Sequence, residues 1–188
     1  MLIIDNYDSF TYNIVEYVRI LGIEPIVIRN DELTLNEISK LNFNSIILSP
    51  GYGNPDNSGV TLDVIDKFYK TRPMLGICLG HQCIAKYFGA NIIQAKEPCH
   101  GKTTNIFFDK NCPIYNSFEQ GFQATRYHSL IVDNSSVNLP LKINAKTKDN
   151  IIMGLEVENT QTYGVQFHPE AILTTNGINI IENFIKLK

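Results

Sequence analysis

The stretch Leu75-Gly76-Ile77-Cys78-Leu79-Gly80-His81-Gln82 joins an apolar strand to a helix. Pro73-Met74-Leu75 runs in as the strand, and Ile84-Ala85-Lys86-Tyr87-Phe88 runs out as a helix that Gly89 closes. A cysteine with a glycine two residues to either side, at such a junction, has the layout of a nucleophile elbow, whose strained residue projects its side chain clear of the backbone. The glycines admit close backbone approach. The first N–H groups of the following helix favour a thiolate facing them. Free cysteine is also common core filling, so the pattern alone is a weak signal. It gains force only if a base, an orienting acid and an oxyanion site occur elsewhere.

Before the elbow, strands and helices alternate. Leu2-Ile3-Ile4-Asp5 reads as a strand, and Asp8-Ser9 as an N-cap for a helix over residues 11–21, where Ile14, Val15, Val18 and Leu21 recur at helical spacing. A strand over residues 24–28, a helix carrying Leu35, Ile38 and Leu41, a strand over residues 45–48 and a helix carrying Val60, Val64, Ile65 and Phe68 follow. Near-continuous apolar strands alternating with helices predict a parallel sheet covered on both faces. After the elbow the pattern changes. Residues 91–93, 104–108, 122–127, 130–132, 141–145, 151–157 and 163–167 read as strands, without a long helix until Ile178, Ile181, Phe184 and Ile185. These are expected as antiparallel strands, some extending the sheet and others forming a flap. The fold class is therefore α/β: one domain over residues 1–188, with a mixed, largely parallel, flavodoxin-like sheet and helices on both faces. In open α/β sheets the ligand lies at the carboxyl ends of the strands. That puts the loops after Asp5 and Leu48 on one rim with Cys78.

The totals narrow the function. With 188 residues, 44% hydrophobic and 19% charged, the chain has an ordinary globular composition. A net charge of −3 and no Lys/Arg cluster argue against nucleic acid as a partner. No signal peptide or apolar run of membrane-spanning length is evident, and four cysteines without paired spacing read as reduced thiols, so a soluble cytoplasmic protein is expected. Cys78, His81 and Cys83 lack the paired spacing and fourth ligand of a zinc site, and no metal is expected.

Two further segments carry chemistry. Ser49-Pro50-Gly51-Tyr52-Gly53-Asn54-Pro55 is a tight turn whose free backbone N–H groups could join that of Leu79 as oxyanion donors. Phe167-His168-Pro169-Glu170 lies at the end of an apolar strand. Proline after His168 disfavours helix there. Extended backbone would set His168 and Glu170 on one side, where a carboxylate fixes the imidazole tautomer and frees the other nitrogen as base and acid. His100 and His128 have no neighbouring carboxylate and read as segments preceding or joining strands.

Taken together, Gly76-Ile77-Cys78-Leu79-Gly80-His81-Gln82 and Phe167-His168-Pro169-Glu170 resemble the two signatures of the class I (triad-type) glutamine amidotransferases, in that family's order. Within the family, residues 5–13, His100-Gly101-Lys102, Arg126-Tyr127-His128-Ser129-Leu130 and Ile172-Leu173-Thr174 resemble the glutaminase component of anthranilate synthase and aminodeoxychorismate synthase. The resemblance implies Cys78 as nucleophile, His168 as base and acid, and Glu170 as its orienting carboxylate. It also implies Gly51, Tyr52, Gly53, Leu79, Gln82, Ser129 and Leu130 around L-glutamine and the oxyanion. Tyr52 stands where the family usually has proline, and Ala171 where it usually has serine. The implied activity is glutamine hydrolysis, with ammonia passed to a chorismate-aminating synthase subunit that carries the magnesium; no cofactor is expected in this chain. The other readings are a cysteine-based regulatory domain, a stand-alone γ-glutamyl hydrolase and a related amidotransferase subunit.

Overall fold

The computed structural model describes residues 1–187. Nine strands form one sheet in the order β2-β1-β3-β4-β9-β8-β7-β5-β6. The parallel part holds β1 (Leu2–Asn6), β2 (Ile26–Arg29), β3 (Ile46–Gly51), β4 (Met74–Ile77) and β9 (Thr162–Val165). The antiparallel part holds β8 (Ile152–Val157), β7 (Leu141–Lys146), β5 (Ile92–Phe108) and β6 (Phe122–Val132). The helices are α1 (Thr11–Ile20), α2 (Leu35–Ile38), α3 (Thr61–Phe68), α4 (Leu79–Tyr87) and α5 (Ile178–Ile185).

Alternation along the strands builds two cores. Ile3, Ile47, Leu75, Ile77 and Val165 face one side, against Ile14, Val15 and Val18 of α1 and Ile180, Ile181 and Phe184 of α5. Leu2, Ile4, Ile46, Leu48 and Met74 face the other, against Val64 and Ile65 of α3 and Ile84 and Ala85 of α4. The middles of the parallel strands are apolar on both faces because both faces are covered, and the polar Asp5, Asn6 and Ser49 stand towards the carboxyl ends of β1 and β3. Each fully buried Leu or Ile contributes about 1.5–3 kcal/mol.

Several elements depart from the sequence reading. The strand expected over 163–167 as antiparallel is β9, which sits where the two parts of the sheet join and so runs parallel to β4 and antiparallel only to β8. Asp8 Oδ1 accepts from the Phe10 N–H at 2.8 Å at the entry to α1, while Phe10, the residue directly before the helix, makes no side-chain cap bond; Asp5 Oδ1 also accepts from Thr11 Oγ1 at 2.8 Å and from the Tyr7 N–H at 2.9 Å. α2 has a Thr34–Glu37 capping box but stops at Ile38, short of Leu41. Ser39 Oγ there donates to Leu35 O at 2.7 Å, and a serine bonded to the preceding turn competes with helix continuation. The segments read as 91–93 and 104–108 belong to one strand of 17 residues, β5, so His100 lies within it rather than before it. Segments 122–127 and 130–132 are likewise one strand, β6, with His128 inside. β5 takes in Pro98 and Gly101, between its two expected segments, through irregularities between Gln94 and Cys99 and between His100 and Lys102. The β5–β6 hairpin reaches the site: Thr125 of β6 bridges His168, which follows β9.

Candidate active site

The elbow is built by contact. A Cβ on Gly76 would lie 2.4 Å from the carbonyl carbon and oxygen of Gly80, and a Cβ on Gly80 would lie 2.3 Å from Leu48 O. The two glycines therefore let α4 start directly above β3 and β4. Between them Cys78 is held at φ 51, ψ −100, a conformation that costs a non-glycine residue about 1–3 kcal/mol. It is retained by its backbone: the Cys78 N–H donates to Val165 O at 2.8 Å, and Cys78 O accepts from the Gln82 N–H at 3.1 Å. The thiol sits at the N-terminus of α4, 6% exposed.

His168 and Glu170 come together as expected, but in a turn rather than an extended strand. β9 ends at Val165, and the Ala171 N–H bonds back to His168 O at 3.3 Å. His168 Nδ1 is 2.6 Å from Glu170 Oε1, with both side chains buried. Burial opposes the imidazolium, but the Glu170 carboxylate and the Cys78 sulfur outweigh it and hold the His168 pKa well above its ordinary value. The other ring nitrogen, Nε2, is buried, and the Cys78 sulfur lies close enough to His168 to favour its charged form. The backbone fixes the ring's place: the His168 N–H donates to Thr125 O at 2.9 Å, and His168 O accepts from Thr174 Oγ1 at 2.6 Å. The rings of Tyr127 and Phe10 meet the imidazole edge-on, 5.2 and 5.9 Å between centroids.

The glycine-rich turn meets the same rim. A Cβ on Gly51 would lie 2.6 Å from Asn6 and 2.7 Å from the Leu79 side chain, so the ends of β1 and β3 and the elbow are in mutual contact. Asn6 ties them further, through Ser49 on β3, Asn30 after β2 and Thr61 of α3. Gly53 takes φ +83, and Tyr52 between the glycines is 75% exposed, its ring in solvent. Gln82 Nε2 reaches Leu130 O on β6 at 3.0 Å, and Ser129 beside it is exposed opposite the irregular stretch of β5. Ala171 is buried rather than on the surface beside His168.

His81, His128 and Cys83 stay behind the site. His81 is fully buried against Gly164, and burial brings its pKa down to about 4. Burial, reinforced by Arg126, brings that of His128 down to about 3, and Arg126 Nε donates to its Nε2. Burial pushes the Cys83 thiol up to about 12. These groups stay neutral and fill the core. Among the described residues no cluster of three or more His, Cys, Asp or Glu is placed to hold a metal ion. Sequence reasoning did not single out Tyr127 of β6, Phe10 before α1 or Thr174 as neighbours of His168, nor Gln166 as a neighbour of Cys78. The one local signal was the place of Gln166, two residues before His168 on an apolar strand.

The model of the class-I glutamine amidotransferase family matches residues 2–187. The chain belongs to that family. Among relatives, it is 48% identical to an anthranilate synthase component 2 of Saccharolobus solfataricus, over 98% of this chain and 96% of that one. It is 42% identical to an aminodeoxychorismate/anthranilate synthase component 2 of Bacillus subtilis, over 99% of this chain and 95% of that one. It is 44% identical to the bifunctional protein TrpGD of Thermotoga maritima, of which the whole chain spans only 32%. A solved structure of this class-I amidotransferase fold, a Thermoplasma acidophilum protein provisionally assigned to GMP synthase, superposes with a TM-score of 0.85 at 26% identity. That match covers 98% of this chain and 90% of that one.

Proposed function

We propose that the chain is the glutaminase subunit of a chorismate-using synthase, with Cys78, His168 and Glu170 as its catalytic triad. The observation that carries the reading is one constellation. A cysteine strained at a helix N-terminus lies beside an imidazole whose far nitrogen is 2.6 Å from a buried carboxylate. The names of the relatives supply the substrate class.

The Cys78 thiolate attacks the side-chain amide carbon of L-glutamine, and the oxyanion that forms is held by the Leu79 N–H and backbone N–H groups of residues 51–53. His168, kept protonated by Glu170, gives its proton to the departing nitrogen as ammonia leaves and a glutamyl thioester remains. His168, now neutral, takes a proton from water, which attacks the thioester; glutamate departs and the imidazolium–thiolate pair is restored. Gln82, Ser129 and Leu130 hold the amino-acid end of glutamine. Ammonia released to water would become ammonium and lose its lone pair, so it passes directly to the synthase subunit, where any magnesium resides. Ile172 and Leu173, which follow Glu170 and Ala171, are 95% and 58% exposed, and Tyr52 is exposed on the same rim. This apolar surface suits a partner covering the site. The product, anthranilate or 4-amino-4-deoxychorismate, follows from the synthase bound.

The test is glutamate release from glutamine by the chain alone and with each synthase plus chorismate. Stimulation by a chorismate-using synthase supports the reading. Full activity alone, unchanged by either partner, would make it a free hydrolase instead.

A further inference from the structure

Gln166 follows β9 and is fully buried. Its backbone N–H donates to Met153 O at 3.0 Å, prolonging the pairing with β8. Its side chain turns to the elbow: Nε2 lies 3.6 Å from Cys78 Sγ, and Oε1 lies 3.1 Å from Gln82 Nε2. Gln82 Nε2 also donates to Leu130 O at 3.0 Å. A chain of contacts thus runs from β6 through α4 to the sulfur.

The first contact orients the other two. A backbone carbonyl only accepts, so Gln82 must present its nitrogen to Leu130 O. The same nitrogen faces Gln166, which must answer with Oε1, and that leaves Gln166 Nε2 against the sulfur. Reversing either amide would set oxygen against oxygen or N–H against N–H, and these side chains lack ready access to water: Gln82 is 3% exposed and Gln166 0%. A donor held on sulfur favours the thiolate over the thiol, because a charged acceptor makes the stronger hydrogen bond.

We propose that Gln166 serves the reaction as a hydrogen-bond donor to the Cys78 sulfur, aimed there by the Leu130 carbonyl through Gln82. The donor holds the sulfur in its reactive form and place. It also ties the nucleophile to Gln82 and Leu130, the side of the site assigned to glutamine. This role rests on Cys78 being the nucleophile of the proposed glutaminase.

The test is the rate of Cys78 alkylation by iodoacetamide from about pH 5 to about pH 10. It is read at Cys78 by peptide mass spectrometry, and it needs neither glutamine nor a partner. In Gln166→Leu the rising limb of the profile moves up by about one pH unit, roughly tenfold slower labelling at neutral pH. Gln166→Glu keeps the volume but sets a carboxylate against the sulfur, and moves the limb further. Gln82→Leu, which leaves Gln166 in place but unaimed, shifts it in the same direction and tests the donor should the Gln166 variants fail to fold. Folded variants whose profiles superpose on the parent overturn the proposal, as does a smaller shift in Gln166→Glu than in Gln166→Leu. Undiminished glutamate release by Cys78→Ser would instead overturn the glutaminase reading, and the alkylation profiles would still decide the role of Gln166.

Discussion

The imidazole of His168 is caught between burial, which disfavours its charge, and Glu170 and the Cys78 sulfur, which restore it. Because its folded pKa is raised, the stabilisation from this pair is fully present below the unfolded value, about pH 6.5, and is lost as pH rises through the raised folded value. Glu170→Gln removes it. In urea unfolding, the stability gap between parent and Glu170→Gln should therefore be largest near about pH 6 and narrow on going to about pH 9. The same variant leaves His168 without its charge partner and should lower glutaminase kcat by roughly 10²- to 10⁴-fold. A gap that widens with pH would contradict this electrostatic account. Cys78, His168 and Glu170 were legible in the sequence because their signals are local: two glycines around a cysteine, and a carboxylate two residues after a histidine. Gln166 was not, since a glutamine in an apolar strand gains meaning only when Cys78 and Gln82 are folded against it.

At the scale of elements, the elbow is a packing problem solved by absent side chains. Gly76→Ala would drive a Cβ into the Gly80 backbone at 2.4 Å, and neither strand nor helix can yield alone. It should cost at least about 2 kcal/mol and displace the nucleophile. Gly89, at φ +89 with open space around it, is the comparison: Gly89→Ala meets only backbone strain, about 1–2 kcal/mol. Chemical denaturation checks the order, and equal losses would mean that close packing at the elbow is not what demands glycine. The alternation of apolar strands and amphipathic helices makes β1 to β4 readable from the residues alone, but not the parallel pairing of β9 with β4, which joins residues far apart in the chain. The β5–β6 hairpin is harder. Lys96, Glu97, Pro98 and Gly101 carry every local mark of a loop, and only pairing with β6 makes them a strand.

Across the whole molecule, the parallel sheet supplies a rim and the antiparallel extension closes one side of it. β6 brings Thr125 to His168 and Leu130 to Gln82, so the site needs both halves of the chain. The segment after Glu170, which packs beside β6, carries the apolar residues Ile172 and Leu173 that the fold leaves uncovered. Ile172→Asp alters a side chain that is 95% exposed and should change stability by less than about 0.5 kcal/mol, while weakening synthase binding at least roughly tenfold by titration calorimetry. Unchanged affinity would move the partner surface elsewhere. The most direct test of the central claim is intact-mass spectrometry of the chain acid-quenched during glutamine turnover in the presence of its synthase and chorismate. The account predicts a glutamyl adduct mapped to Cys78, with neither adduct nor glutamate release in Cys78→Ser. Glutamate released at the parent rate by Cys78→Ser would contradict it.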